Sequence, residues 1–148
     1  MNYQQWEETV PVEIKGDVLW TVEVYRLALF ACAIGWKDVT RLAGDIRTRS
    51  LADQLYRSLG SISANFAEGY SRISTKDRAR FYEYALGSAR ESRDWYYKST
   101  GALASEVIAH RIKLLTQIIR LLLVILPRER HHSLRENNVE YDILEAPE

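Results

Sequence analysis

Breakers and staples are scarce in this sequence of 148 residues: three prolines, seven glycines and a single cysteine, Cys32. One cysteine excludes an internal disulfide framework and a cysteine-rich zinc site, and it suits a reducing compartment or simple core packing. Few prolines and glycines leave room for long helices. No positively charged, apolar leader opens the chain, since residues 1–16 carry Glu7, Glu8 and Glu13 against Lys15, the wrong sign for a signal peptide. The two most apolar stretches, residues 27–34 and 118–126, are too short to cross a bilayer, and Arg26, Lys37, Arg111, Lys113 and Arg120 interrupt or flank them. A cytoplasmic protein with no membrane partner is expected. At this length a chain buries on the order of 70% of its unfolded surface, enough for one domain to hold together without a metal.

Charge of either sign is balanced overall, with 20 Lys plus Arg against 20 Asp plus Glu, but it is not spread evenly. Residues 1–16 and 127–148 are net acidic, so the middle is net basic, and the excess lies in residues 72–126, with ten cations against five anions. Most of the cations are Arg, which suits forked contacts to carboxylate or phosphate. An acidic partner is therefore a reasonable expectation.

Periodicity predicts four helices and no strand. The first runs from Asp17, its N-cap, to about Leu42, with Val18, Val22, Tyr25, Leu29, Cys32 and Trp36 at steps of three and four; Gly35 and Gly44 warn of bending or fraying at its end. The second starts at Ser50, with Asp53 three residues on, and carries the stripe Leu51, Leu55, Leu59, Ile62 and Phe66. Gly69 is its expected stop, in the left-handed conformation. Ser74 and Asp77 start a third helix that runs to about Thr100 and is closed by Gly101, with Phe81, Ala85, Ser88, Ser92 and Trp95 facing inward. The fourth, residues 103–126, is apolar nearly all round at its end, so it needs cover on more than one side. Short connections give an all-α, antiparallel up-down-up-down four-helix bundle over residues 17–126. Residues 1–16 form an N-terminal extension, and residues 127–148 an acidic tail with little periodicity. The surplus apolar face points to a homo-oligomer.

Two motifs stand out. Ser61 to Gly69 reads S-I-S-A-N-F-A-E-G, and Ala85 to Glu91 reads A-L-G-S-A-R-E, preceded by Gln54, Leu55, Arg57 and Ser58 as a Q-L-x-R-S element. These segments resemble the bacterial four-helix-bundle family first noticed as proteins encoded inside intervening sequences of 23S ribosomal RNA genes. Its usual pattern has Pro where this chain has Ser63, which bears on a helix bend and not on the fold. The resemblance marks Gln54, Arg57, Ser61, Asn65, Glu68, Gly69, Gly87, Ser88 and Glu91 as its motif positions. The family is related in fold to the accessory protein of diversity-generating retroelements, which resembles a homopentameric barrel that binds a reverse transcriptase and nucleic acid. By that resemblance this chain is expected to form a pentamer and to contact RNA, DNA or a reverse transcriptase.

Physical readings accompany the motif. Asn65 lies at the edge of the second helix's stripe and is expected to bond toward Ser88 or the turn at residues 70–73, because a half-buried amide is costly when unpaired. Glu68 sits near a negative helix C-terminus and calls for a cation such as Arg72 or a residue of a neighbouring subunit. Gly87, on the charged face of the third helix, costs about 1 kcal/mol against alanine, which points to close approach by a helix, a subunit or a phosphate backbone. Arg72, Lys76, Arg80, Arg90 and Lys98, interleaved with tyrosines and Trp95, and Arg111 and Lys113 on the fourth helix, form a candidate nucleic-acid surface. Pairs such as Arg80 with Glu83 or Arg90 with Asp94 compete with that role.

Metal and catalytic patterns are missing. A di-iron bundle needs Glu-x-x-His on each of two helices, and this chain does not have two; His110 is a lone helical histidine four after Glu106. No phosphate-binding Gly-rich loop, nucleophile elbow or Cys–His pairing occurs. The expectation is a non-catalytic oligomeric adaptor without a cofactor, with a protein-only assembly scaffold as the alternative.

Overall fold

The structure is a computed structural model, described here for residues 1–130, with side chains to Arg128. The acidic tail expected over residues 127–148 thus lies mostly outside the described residues. Six α-helices and one 3-10 turn make up the described residues, and no strand occurs among them. The helices are α1 (Tyr3–Thr9), α2 (Val12–Lys15), α3 (Glu23–Ala43), α4 (Arg49–Tyr70), α5 (Thr75–Lys98) and α6 (Ser105–Arg130). The four long ones pack in sequence order, α3 on α4, α4 on α5 and α5 on α6, and a sparser contact of α3 with α6 closes the helical bundle.

The start of the first long helix differs from the sequence reading. Asp17 does cap, but it accepts the Leu19 amide (2.8 Å) of a 3-10 turn, Val18–Thr21, and the extended backbone at Val22 separates that turn from α3. Arg26 fixes the turn by donating to the Trp20 carbonyl at 2.7 Å. The buried face of α3 is also another face. Val24, Ala28, Ala31, Gly35, Asp38 and Leu42 point inward, whereas Val18 and Trp36 are 63% and 59% exposed. Small residues win the inward positions because α4 comes close: a Cβ on Gly35 would sit 2.5 Å from Leu59 Cδ1 and 3.4 Å from the Tyr96 hydroxyl oxygen.

Helix α4 buries Leu55, Leu59, Ile62 and Phe66 of its expected stripe, while Leu51 is half-exposed. It begins at Arg49 rather than after Ser50, because Thr48 turns the chain by donating from Oγ1 to the Leu42 carbonyl (2.7 Å). Gly69 does not end it. The helix runs on to Tyr70, and Gly69 stays right-handed; its missing Cβ would lie 2.8 Å from Phe81 Cβ and 2.9 Å from the Tyr82 ring, so glycine is there to let α5 approach. Phe66 stacks on Tyr82 at 4.5 Å across the same contact. The left-handed glycine is Gly101, φ 92°, in the turn after α5.

Ser74 caps α5 through the Asp77 amide, as its sequence implies. The α5 core positions are Tyr82, Ala85, Ala89, Ser92 and Tyr96, while Phe81, Ser88 and Trp95 sit half-exposed on the flank toward α4. Helix α6 continues through Pro127 to Arg130, one turn beyond its expected end. The N-terminal extension packs on the core. Trp6 of α1, 6% exposed, packs between Trp20 (6.0 Å) and Phe30 (5.3 Å), with Tyr3 on the same aromatic cluster.

Candidate nucleic-acid interface

Hydroxyl groups line the contact of α4 with α5. The Ser92 hydroxyl lies 2.8 Å from Ser58 Oγ and 2.8 Å from the Ser88 carbonyl, and Ser88 donates to Ser61 Oγ at 2.9 Å. Asn65 Nδ2 donates to Ser61 Oγ (2.8 Å) and to the Ser61 carbonyl (2.9 Å), so it reaches Ser88 through Ser61 rather than directly. Small neutral groups suit this place because two backbones can come close without burying an unpaired charge. Several other motif positions pair with a side chain one turn away. Glu68 pairs with Arg72 one turn on, as its place near a helix C-terminus calls for. Arg57 pairs with Asp53 at 3.2 Å, Glu91 accepts from Trp95 Nε1 at 3.2 Å, and Gln54 is exposed.

The seven cations singled out in the sequence separate into three groups. Arg111 is turned inward: its side chain is 16% exposed, Nε donates to Asp38 Oδ2 at 2.7 Å, and Nη2 lies 3.3 Å from Oδ1. Tyr96 donates to the same Asp38 oxygen at 2.8 Å, and burial followed by the Asp38 charge pushes its phenol well above the ordinary tyrosine range. His110 Nδ1 meets Arg111 Nη1 at 2.9 Å, and burial and the Arg111 charge lower the His110 pKa. This cluster ties α3, α5 and α6 together. Its signal in the sequence is Asp38 lying three residues past Gly35 on the inward face of α3; Asp38 and Tyr96 were missed because their partners are 58 and 73 residues apart in the chain.

Three more cations are held by nearby side chains. Arg72 and Arg80 flank the Phe81 ring at 4.9 and 5.4 Å, with Arg80 3.5 Å from Asp77. Lys98 pairs with Asp94 at 2.6 Å and sits over Trp95. The third group, Lys76, Arg90 and Lys113, is exposed and has no anionic partner among the described residues, and neither has Arg120, which the sequence reading passed over. Arg93 Nη1 donates to Thr116 Oγ1 at 3.2 Å and marks where α5 meets α6. At 100° per residue, Arg90 lies about 60° outward of Arg93, and Lys113 and Arg120 lie about 60° and 40° outward of Thr116. Arg90 and Arg120 fall within about one turn of each other along the edge. Gly87 is on this outer side of α5, exposed, with nothing within 4 Å of where its Cβ would be.

The profile of the 23S rRNA-intervening sequence protein family matches residues 21–124. The chain belongs to this family. A crystal structure of a protein with unknown function from the S23 ribosomal protein family of Bacteroides thetaiotaomicron VPI-5482 has the same fold, with a TM-score of 0.66 at 24% identity, covering 70% of this chain and 97% of that one. A comparison with curated proteins finds no match. The family match takes in the whole serine contact, the Asp38 cluster and the α5–α6 edge, and it leaves out Trp6 and the other aromatic groups of residues 1–20.

Among the described residues no group of three or more metal-ligating side chains lies together, and no helix is long and apolar enough to cross a membrane. The stripe read from the sequence of the first helix turns out to be an outer flank. Tyr25, Leu29 and Cys32 are half-exposed there, and Trp36 meets Tyr56 of α4 edge to face at 5.4 Å. Burial raises the Cys32 thiol pKa, which leaves it a weak nucleophile.

Proposed function

We propose that this member of the family is a non-catalytic adaptor, an antiparallel four-helix bundle assembled as a homo-oligomer, that binds RNA or DNA along the outer edge of α5 and α6. The observation that carries this reading is the set of exposed cations Arg90, Lys113 and Arg120, without an anionic partner among the described residues, beside the open surface at Gly87. Guanidinium forks reach phosphate oxygens in pairs, and a glycine without neighbours lets a backbone pass close to the helix. The family resemblance adds a nucleic-acid enzyme such as a reverse transcriptase as a further partner.

Fluorescence anisotropy with labelled RNA and duplex DNA tests it. Binding at about 50 mM salt should weaken steeply by 200 mM, and Arg90→Glu with Arg120→Glu should abolish it while far-UV circular dichroism stays unchanged. Absence of binding to both nucleic acids at 50 mM salt rejects the reading.

A protein-only scaffold is the second reading, favoured by the outer flank of Tyr25, Leu29, Cys32, Trp36 and Tyr56, which a second copy would cover. Both readings require self-association, a pentamer by the family resemblance. Sedimentation at micromolar concentration that finds one stable copy rejects that assembly.

A further inference from the structure

We infer that the α5–α6 edge has an occupant within the same chain: residues 131–148, seated on it in the absence of nucleic acid. The inference rests on reading that edge as an anion-binding face. Three observations bear on it. First, α6 reaches Arg130, the last described residue. Counting from the Arg93–Thr116 bond along two antiparallel neighbours, Arg130 comes level with the first turns of α5, near Lys76 and Arg80. The chain beyond Arg130 therefore starts at one end of the same cationic edge.

Second, the charges are complementary. Residues 131–148 carry Glu136, Glu140, Asp142, Glu145 and Glu148 against Arg135, and the edge offers Lys76, Arg90, Lys113 and Arg120, each without an anionic partner among the described residues. Third, the reach is sufficient. Lys113 lies about 26 Å back along α6 from Arg130. A chain of eighteen residues has a root-mean-square span of about 23 Å as a flexible coil and extends to about 59 Å, so it can track the edge over its length. A tethered segment competes at an effective concentration in the millimolar range. Only a polyanion that contacts several cations at once displaces it, which makes the segment a filter against weak anionic ligands.

Zero-length carbodiimide coupling of the full chain tests the contact without nucleic acid. Equal amounts of unlabelled and 15N-labelled chain are unfolded, mixed and refolded together at low concentration, then coupled and digested. The expected product joins Lys76 or Lys113 to a carboxylate of residues 136–148 within one isotope class, and it is lost at about 1 M salt, where screening shortens to about 3 Å. No such product, a product at Lys15 or Lys37 instead, or mixed-isotope products overturns the inference.

A second measurement reads the consequence. Replacing Glu140→Gln, Asp142→Asn and Glu145→Gln together should tighten RNA binding about fivefold at 50 mM salt, with little change at 200 mM. Unchanged affinity at 50 mM overturns the competition. Failure of RNA to bind both variant and parent, with the coupling product present, rejects the nucleic-acid reading and leaves the tail contact standing.

Discussion

The contact of α4 with α5 and that of α3 with α6 solve the same problem in opposite ways. Between α4 and α5 the polar groups are neutral hydroxyls and one amide, and the helices come so close that Gly69 has no room for a methyl group. Between α3 and α6 the contact is sparse, and one buried ion pair, Asp38 with Arg111, spans it with help from Tyr96. Short side chains need little space and tolerate close approach; a carboxylate and a guanidinium need both the distance and the mutual neutralisation. Elsewhere on α3, the rings of Tyr3 and Trp6 add cover around Phe30.

The sharpest way to break this contrast is to unbalance the ion pair. Asp38→Ala should cost about 3–5 kcal/mol, because it leaves Arg111 largely buried and unpaired, whereas Asp38→Leu with Arg111→Met should recover most of the loss; urea melts of the three proteins measure both. Next comes Gly69→Ala, expected to destabilise by about 1–3 kcal/mol through overpacking against Phe81 and Tyr82. Gly87→Ala, at the open position of α5, should instead stabilise by up to about 1 kcal/mol while weakening RNA binding, and opposite signs for the two glycines in thermal melts are the outcome to look for. Ser58→Ala and Ser92→Ala should each cost about 1 kcal/mol and be non-additive in a double-mutant cycle.

The smallest expected effect is a pH dependence at the other contact. The folded-state pKa of His110 is lowered, first by burial and then by the Arg111 charge, so the unfolded chain takes up the proton at higher pH than the folded one. Stability from this group is complete above about pH 6.5 and declines as pH falls toward the lowered folded value. In His110→Gln that component of the pH profile of urea midpoints should vanish, and an unchanged profile would count against the contact.

Much of the helix pattern was legible because it is local. The α4 positions Leu55 to Phe66, the Ser74 cap and the stop of α5 before Gly101 each follow from residues within a turn or two, and the structure has them in place. The face of α3 was not legible. Two stripes run along that helix, and the bulkier one, Tyr25 to Trp36, looks like the core by hydrophobicity; packing chose Ala28, Ala31 and Gly35 because a close neighbour rewards lack of volume. Gly69 misled for the same reason, since a glycine at a helix end signals a turn only when nothing crosses there. At the candidate site, the sequence identified Lys76, Arg90 and Lys113, but no local pattern marks Arg111 as the partner of a carboxylate 73 residues away.

The placement of Trp6 bears on any attempt to shorten the protein to the boundaries of its family match. Cutting at residue 21 would remove the indoles of Trp6 and Trp20 and lay bare the phenyl ring of Phe30, now 4% exposed. Such a trimmed chain should be sticky in solution, and its clumping could be mistaken for natural assembly.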